Sequence, residues 1–185
     1  MNDNSAALAD IAGHYVLDPS HSRLGFVARH AVVTKVRGQF DEWEATARID
    51  TANPASCSVQ LTINPGSVST GSDDRDGHLV SGDFFDVERF PEWTFVSTDV
   101  DRNGTDWLVT GDLTIKGISK PVTIKFAETG SAKDPFGNVR VGFEGAVTID
   151  RKDWDLTWNA ALETGGVLVS EKIKLEFDIS AIRRD

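Results

Sequence analysis

Four histidines, His14, His21, His30 and His78, are the first residues here that invite chemistry. Imidazole ligation of a metal favours short spacings that share one face, such as H-x-H, or HExxH on a helix. Neither occurs, and there is no CxxC. His21 and His30 lie nine residues apart, an odd separation that puts them on opposite faces of an unbroken strand. The Pro19-Ser20 turn can take His21 out of the strand. The set reads better as hydrogen-bonded or pH-sensitive histidines, and no metal is expected. Asp18, Ser20 and His21 are the residue types of a hydrolytic triad, but adjacency in sequence does not create triad geometry, and no G-x-S-x-G elbow is present. Gly165-Gly166 is an isolated pair, so a phosphate-cradling loop is missing. No catalytic residue is expected. The run Asp73-Asp74-Arg75-Asp76-Gly77-His78 has two readings. It is either a polar rim where Arg75 and His78 meet an anionic head group, or an Asp/Arg salt-bridge and capping network that holds an inserted helix. The single cysteine, Cys57, shares a strand face with Val59, Leu61 and Ile63 and reads as a small core residue.

These side chains need elements to position them, and the elements are strands. Ile173, Leu175, Phe177 and Ile179 interleave with Lys172, Lys174, Glu176 and Asp178. A period of two puts the apolar set on one face and the charges on the other. The same alternation runs through Leu24–Ala28, Trp43–Ile49, Cys57–Ile63, Trp107–Lys116, Val122–Phe126 and Val139–Ile149. Polar turns such as Asn53-Pro54, Asn64-Pro65-Gly66 and Asp134-Pro135-Phe136-Gly137-Asn138 separate them. Only residues 72–87 break the rhythm, and Ser72 or Asp73 can cap a short helix there. About eight or nine strands with short local connections predict an all-β, antiparallel, up-and-down barrel. A two-sheet sandwich is the alternative. Gly25, Gly111, Gly142 and Gly145 inside strands mark bending or close backbone approach. Trp154 and Trp158, four residues apart, share a face in a position to close one barrel end.

The 185 residues fit one domain, read as a flexible lead-in over 1–13 and a barrel over 14–185. Net charge is −10, which argues against nucleic acid and disfavours docking onto anionic bilayers. No run approaches the roughly 18 apolar residues of a membrane-spanning helix. The first residues lack a basic, apolar leader pattern, so a cytoplasmic location is expected.

Asp18-Pro19-Ser20-His21-Ser22 with Phe26, His30 and Gly38-Gln39-Phe40 resembles the opening of the YceI-like family. Arg75-Asp76-Gly77-His78-Leu79, Asp83-Phe84-Phe85-Asp86, Phe90-Pro91 and Phe95-Val96-Ser97-Thr98 are similar to that family in order and spacing. So are Gly111-Asp112-Leu113-Thr114-Ile115, Gly117-Ile118-Ser119-Lys120-Pro121-Val122 and Arg151-Lys152-Asp153-Trp154. The resemblance covers Tyr15 to Ile182. It implies a lipocalin-like barrel around a long apolar pocket. It also implies binding of a polyisoprenoid, such as a prenyl diphosphate or a polyprenyl quinone, and often a homodimer. Lys116 stands where relatives commonly have histidine, and Asp155 where glycine is common.

The expected function is therefore non-catalytic binding, transport or storage of an isoprenoid lipid, with no cofactor. The alternatives are a barrel-type isomerase or hydrolase for an apolar substrate, and a stress-linked module with a solid core. Pocket candidates are Phe26, Val59, Leu61, Phe95, Leu113, Ile115, Phe126, Phe143, Leu175 and Phe177, with Phe84 and Phe85 as lid or portal. Head-group candidates are His30, Arg75 and His78.

Overall fold

The alternations become eleven strands of one antiparallel sheet in a computed structural model that describes residues 10–163 and 166–184. They are β1 (Gly13–Leu17), β2 (Arg23–His30), β3 (Thr34–Phe40), β4 (Trp43–Ile49), β5 (Ser58–Ile63) and β6 (Val68–Ser69). After an insertion come β7 (Trp93–Asn103), β8 (Asp106–Ile115), β9 (Ile118–Lys133), β10 (Val139–Asp150) and β11 (Lys172–Arg183). Register shows that β1 with β2, β3 with β4, and β5 with β6 each form one long strand broken by a bend. The chain thus lays down eight staves in sequence order, each antiparallel to the one before. The last stave closes on the first: β11 pairs with β10 along one edge and with β2 and then β1 along the other. This is a closed eight-stave up-and-down barrel, not a sandwich, with each stave paired to its neighbours along part of its length.

The bends have local causes. Between β1 and β2, the Asp18 carboxylate accepts from Ser20 N at 3.0 Å and Ser20 Oγ at 2.7 Å, an Asx-type turn. Ser22 Oγ then accepts from Ser180 N at 2.9 Å, tying the bend to β11. Between β5 and β6, Pro65 has no N–H for the ladder and Asn64 caps the turn through Gly66 N at 3.0 Å. Two in-strand glycines answer to close approach: a methyl on Gly111 would lie 2.5 Å from the Phe95 ring, and one on Gly145 2.7 Å from Phe126. Ile11 is already buried, and its carbonyl accepts from the Tyr15 hydroxyl at 2.7 Å. The expected lead-in over 1–13 therefore gives way to folded chain before residue 14, and its first nine residues lie outside the described ones.

One barrel end carries the insertion. Helix α1 (Asp73–Val80) starts at Ser72, whose Oγ accepts from Arg75 N at 3.3 Å, with three aspartates favouring the positive end of its dipole. Phe84 and Phe85 follow it into the core. The 151–171 loop packs over the same end through Arg151, which is only 4% exposed. Among the described residues its guanidinium has no carboxylate within ion-pair distance. It donates to the carbonyls of Ser170 (2.8 Å), Trp158 (3.0 Å), Val169 (3.3 Å) and Leu156 and lies over the Phe84 ring. Four carbonyl dipoles take the place of a counter-ion. Burial pulls its pKa below the ordinary value, opposed by Glu171 and Asp150. Arg151→Met is expected to orphan these carbonyls and lower stability by about 3 kcal/mol in urea unfolding, with the 151–171 loop losing hydrogen-exchange protection first.

Candidate binding cavity

Every stave sends alternate side chains inward, and the question is whether they meet. On β9 these are Ile124 and Phe126, and on β8 Val109, Leu113 and Ile115. Four staves from β9 in the ring, β4 answers with only Ala45 and Ala47. Small residues facing large ones leave the middle open. The cavity offers about 160 Å³ to the centres of water-sized spheres. One water needs roughly 10–15 Å³ on that measure, so this is no packing defect. The wall is almost wholly apolar. Its charged member, Arg48, is exposed and alternates with the inward Ala47 and Ile49. Cys57 also lines it, but its Sγ is engaged with the Asp50 backbone and burial pushes the thiol pKa up.

Nine of the apolar candidates, Val59, Leu61, Phe95, Leu113, Ile115, Phe126, Phe143, Leu175 and Phe177, lie on this wall. Phe26, Phe84 and Phe85 do not. Phe26 packs on Phe40 at 5.7 Å between ring centroids, over Gly38. Phe85 is wedged against Trp93 at 4.7 Å, and Phe84 against His78 and Trp158 at 5.1 and 5.2 Å. They form the sealed end of the barrel rather than a loose lid.

The structure does not bring His30, Arg75 and His78 together at a mouth. Arg75 is spent on Thr70, through its hydroxyl and its carbonyl, both at 2.7 Å. Asp76 accepts from the same threonine, so the acidic run is a capping network joined through Thr70, without the expected Asp–Arg ion pair among the described residues. His78 bonds Asp83 at 2.8 Å and stacks edge-on with Trp158. His30 ends β2 and bridges to Val169. Asp18, Ser20 and His21 do cluster, but one imidazole nitrogen, Nδ1, faces both Ser20 Oγ (3.0 Å) and Asp18 (2.8 Å). A triad needs two different ring nitrogens. Asp18 instead bonds Arg140 at 2.9 Å, which also bonds Asp134 at 2.8 Å. This knot joins the β1–β2 bend to the β9–β10 hairpin. Among the described residues, no three His, Cys, Asp or Glu side chains are placed to share a metal.

Sequence reasoning passed over Trp93. It lines the cavity, is 7% exposed, and its Nε1–H finds no acceptor among the described protein atoms. The one signal for it was a tryptophan at strand parity, shared with four others. The two departures from family habit also meet. Lys116 and Asp155 both have left-handed backbones (φ 53° and 59°), and Lys116 Nζ donates to the Asp155 carbonyl at 3.2 Å. Beside them, Trp154 Nε1 bonds Leu113 O at 2.9 Å. That contact closes the wall where β9 and β10 stop pairing beyond Lys125↔Ala146.

A closed antiparallel barrel around an apolar cavity, sealed at one end by an inserted helix, defines a lipocalin-like binding protein. The YceI-like domain matches residues 15–181, and the chain belongs to that family. A UPF0312 protein of Pseudomonas aeruginosa is 36% identical over 176 residues, covering 94% of this chain and 89% of its own. The Burkholderia cenocepacia protein BcnA superposes with a TM-score of 0.78 at 25% identity, over 89% of this chain and 98% of that one. A polyisoprenoid binding domain from Saccharophagus degradans shares the fold, with a TM-score of 0.67 at 20% identity over 94% and 99% of the two chains.

The Asp18–Arg140–Asp134 knot has a pH signature. The Arg140 guanidinium holds both carboxyls well below the usual carboxylate range. Groups with depressed folded-state pKa values stabilise the fold above their unfolded pKa, near 4, and lose that contribution as pH falls further. Arg140→Gln is therefore expected to lower the urea midpoint at pH 7, with the gap to wild type narrowing below about pH 4.

Proposed function

We propose that this protein binds a long-chain polyisoprenoid lipid inside the barrel, without transforming it, as a carrier or store. The observation that carries the reading is the apolar cavity inside a closed barrel whose wall is not filled. Membership of the YceI-like family and the description of a shared-fold neighbour as polyisoprenoid binding support it. A prenyl chain offers methyls and methylenes and few hydrogen-bonding atoms, which matches such a wall. At about 0.8 kcal/mol per methylene, each five-carbon unit gains roughly 3–4 kcal/mol gross on burial. One head-group hydrogen bond adds only about 0.5–1.5 kcal/mol. The tail sets affinity, less the cost of ordering it. Among the described residues, no carboxylate or imidazole lies on the cavity wall.

Trp93 favours one head-group class. An unpartnered N–H inside an apolar wall suits a neutral acceptor, such as a quinone carbonyl. A diphosphate entering the cavity would bring charge to a wall without buried cations, a costly arrangement. Titration by tryptophan fluorescence with a polyprenyl quinone and a prenyl diphosphate of equal length is expected to show tighter binding of the quinone. Equal, undetectable binding of both would sink the lipid reading. Filling the middle with Ala45→Leu/Ala47→Leu is expected to weaken quinone binding at least ~10-fold while Tm holds or rises, since filled cavities commonly stabilise. Trp93→Phe keeps the packing and removes the donor, so quinone affinity is expected to fall about 3- to 10-fold with diphosphate affinity unchanged.

A further inference from the structure

The net charge of −10 hides a basic face. On the outside of the barrel, one row of the sheet sets Lys174, Val27 and Arg37 side by side across β11, β2 and β3. In the next row Arg29 stands directly opposite Lys35, with Lys172 two residues from Lys174 on β11. The five cations line an open groove of about 300 Å³. Glu176 pairs with Arg37 at 3.1 Å and Asp150 with Lys172 at 3.4 Å. Arg29, Lys35 and Lys174 have no ion-pair partner among the described residues. Like charges directly across a strand pair destabilise it, so the face is suited to an anion from outside.

The same two strands end in an apolar knuckle. Ala31-Val32-Val33 joins β2 to β3, with Val32 68% and Val33 80% exposed. Val33 N bonds His30 O at 3.2 Å, and Ala31 and Val32 both take positive φ, 52° and 66°. This is the backbone of a turn that normally takes Asn-Gly, and a β-branched residue there is strained. Strain of this kind points to function more readily than to stability. Val167, also exposed, flanks the knuckle, held there by the Ala31 N to Leu168 O bond. Strand rise puts the valines roughly 7–10 Å beyond Arg29 and Lys35.

We propose that this face docks on an anionic bilayer, with Val32 and Val33 entering the acyl boundary while Arg29, Lys35, Arg37, Lys172 and Lys174 meet lipid phosphates. For Arg29 and Lys35 the spacing matches the roughly 5–10 Å by which interfacial segments sink below the head groups, and Arg37 and Lys174 stand one row farther out. A nucleic acid fits less well: exposed valines find no partner on a phosphate backbone, and no aromatic side chain lines the groove for base stacking. The net charge of −10 over the whole chain and the cations gathered on this face favour an approach with this face toward the lipid. The surface lies outside the barrel, so the proposal stands apart from what the cavity binds.

Flotation of the full chain with phosphatidylcholine vesicles, with and without phosphatidylglycerol, tests it. Wild type is expected to float with the anionic vesicles alone and to be released by salt. Each basic residue strengthens such partition ~5-fold, so Lys35→Glu/Lys174→Glu is expected to weaken it more than ~25-fold. Val32→Ser/Val33→Ser is expected to weaken it too, with salt release retained. Lys125→Glu/Lys133→Glu changes net charge equally on β9 and is expected to leave partition within ~2-fold of wild type. Soluble glycerol phosphate at equal phosphate concentration is expected not to compete. Three results overturn the proposal: no flotation with anionic vesicles, equal loss in the β9 control, or binding to a DNA duplex in place of vesicles.

Discussion

Strand β11 has one edge committed to β10 and the other divided between β2 and β1. That divided edge is the constraint on which the rest depends. It turns a meander into a ring, and a ring of eight staves has an interior that side chains can only just fill. Whether they fill it is decided residue by residue. Phe95, Phe126 and Trp107 reach inward from one side, and Ala45 and Ala47 fail to reach them from the other. An open sheet folded into a sandwich would have brought its two faces to about 10 Å and closed the space. The cavity is a consequence of closure plus small residues on β4.

The polar residues that looked chemical do architectural work instead. Asp18, Ser20 and His21 hold the bend that lets β1 and β2 share one edge of β11. Arg75, Asp76 and Thr70 hold the helix start, and Arg151 holds the loop that seals the same end. Such groups are satisfied by neighbours and have little left for a ligand. The interior is correspondingly plain. Shape and apolarity are what the interior offers a guest, and beside it the Trp93 N–H has no acceptor among the described protein atoms.

Much of this was legible in the sequence, and the limits are physical. Val139–Ile149, Cys57–Ile63 and Lys172–Ile179 alternate strictly because one face is packed and the other wet, and these became β10, β5 and β11. Strand β3 went unread because Thr34-Lys35-Val36-Arg37 has only Val36 as an apolar beat. Alternation also identified nine cavity-lining residues, since parity decides inside from outside. It does not say which inward residues sit at the sealed end, so it places Phe26 on the wall and reads Phe84 and Phe85 as a lid or portal. Arg75 and His78 carry two readings in the sequence, head-group contact and helix network, because a short charged run does not reveal that Thr70 and Asp83 will bond them. The basic face was invisible for a different reason. Its members alternate with other residues on β2 and β3 and on β11, which lies more than 130 positions further along the chain, so no local run betrays them, and the total of −10 argues the other way.

The account turns on whether a prenyl chain lies along the inside of the barrel. Methyl-labelled protein titrated with a polyprenyl quinone measures this directly through contacts between ligand and protein methyls. The account predicts nuclear Overhauser effects from the prenyl methyls to Leu61, Leu113, Ile115 and Leu175, and none to the outward Val96 and Leu108. Contacts confined to outward methyls, with the inner four unmoved at saturation, would contradict it.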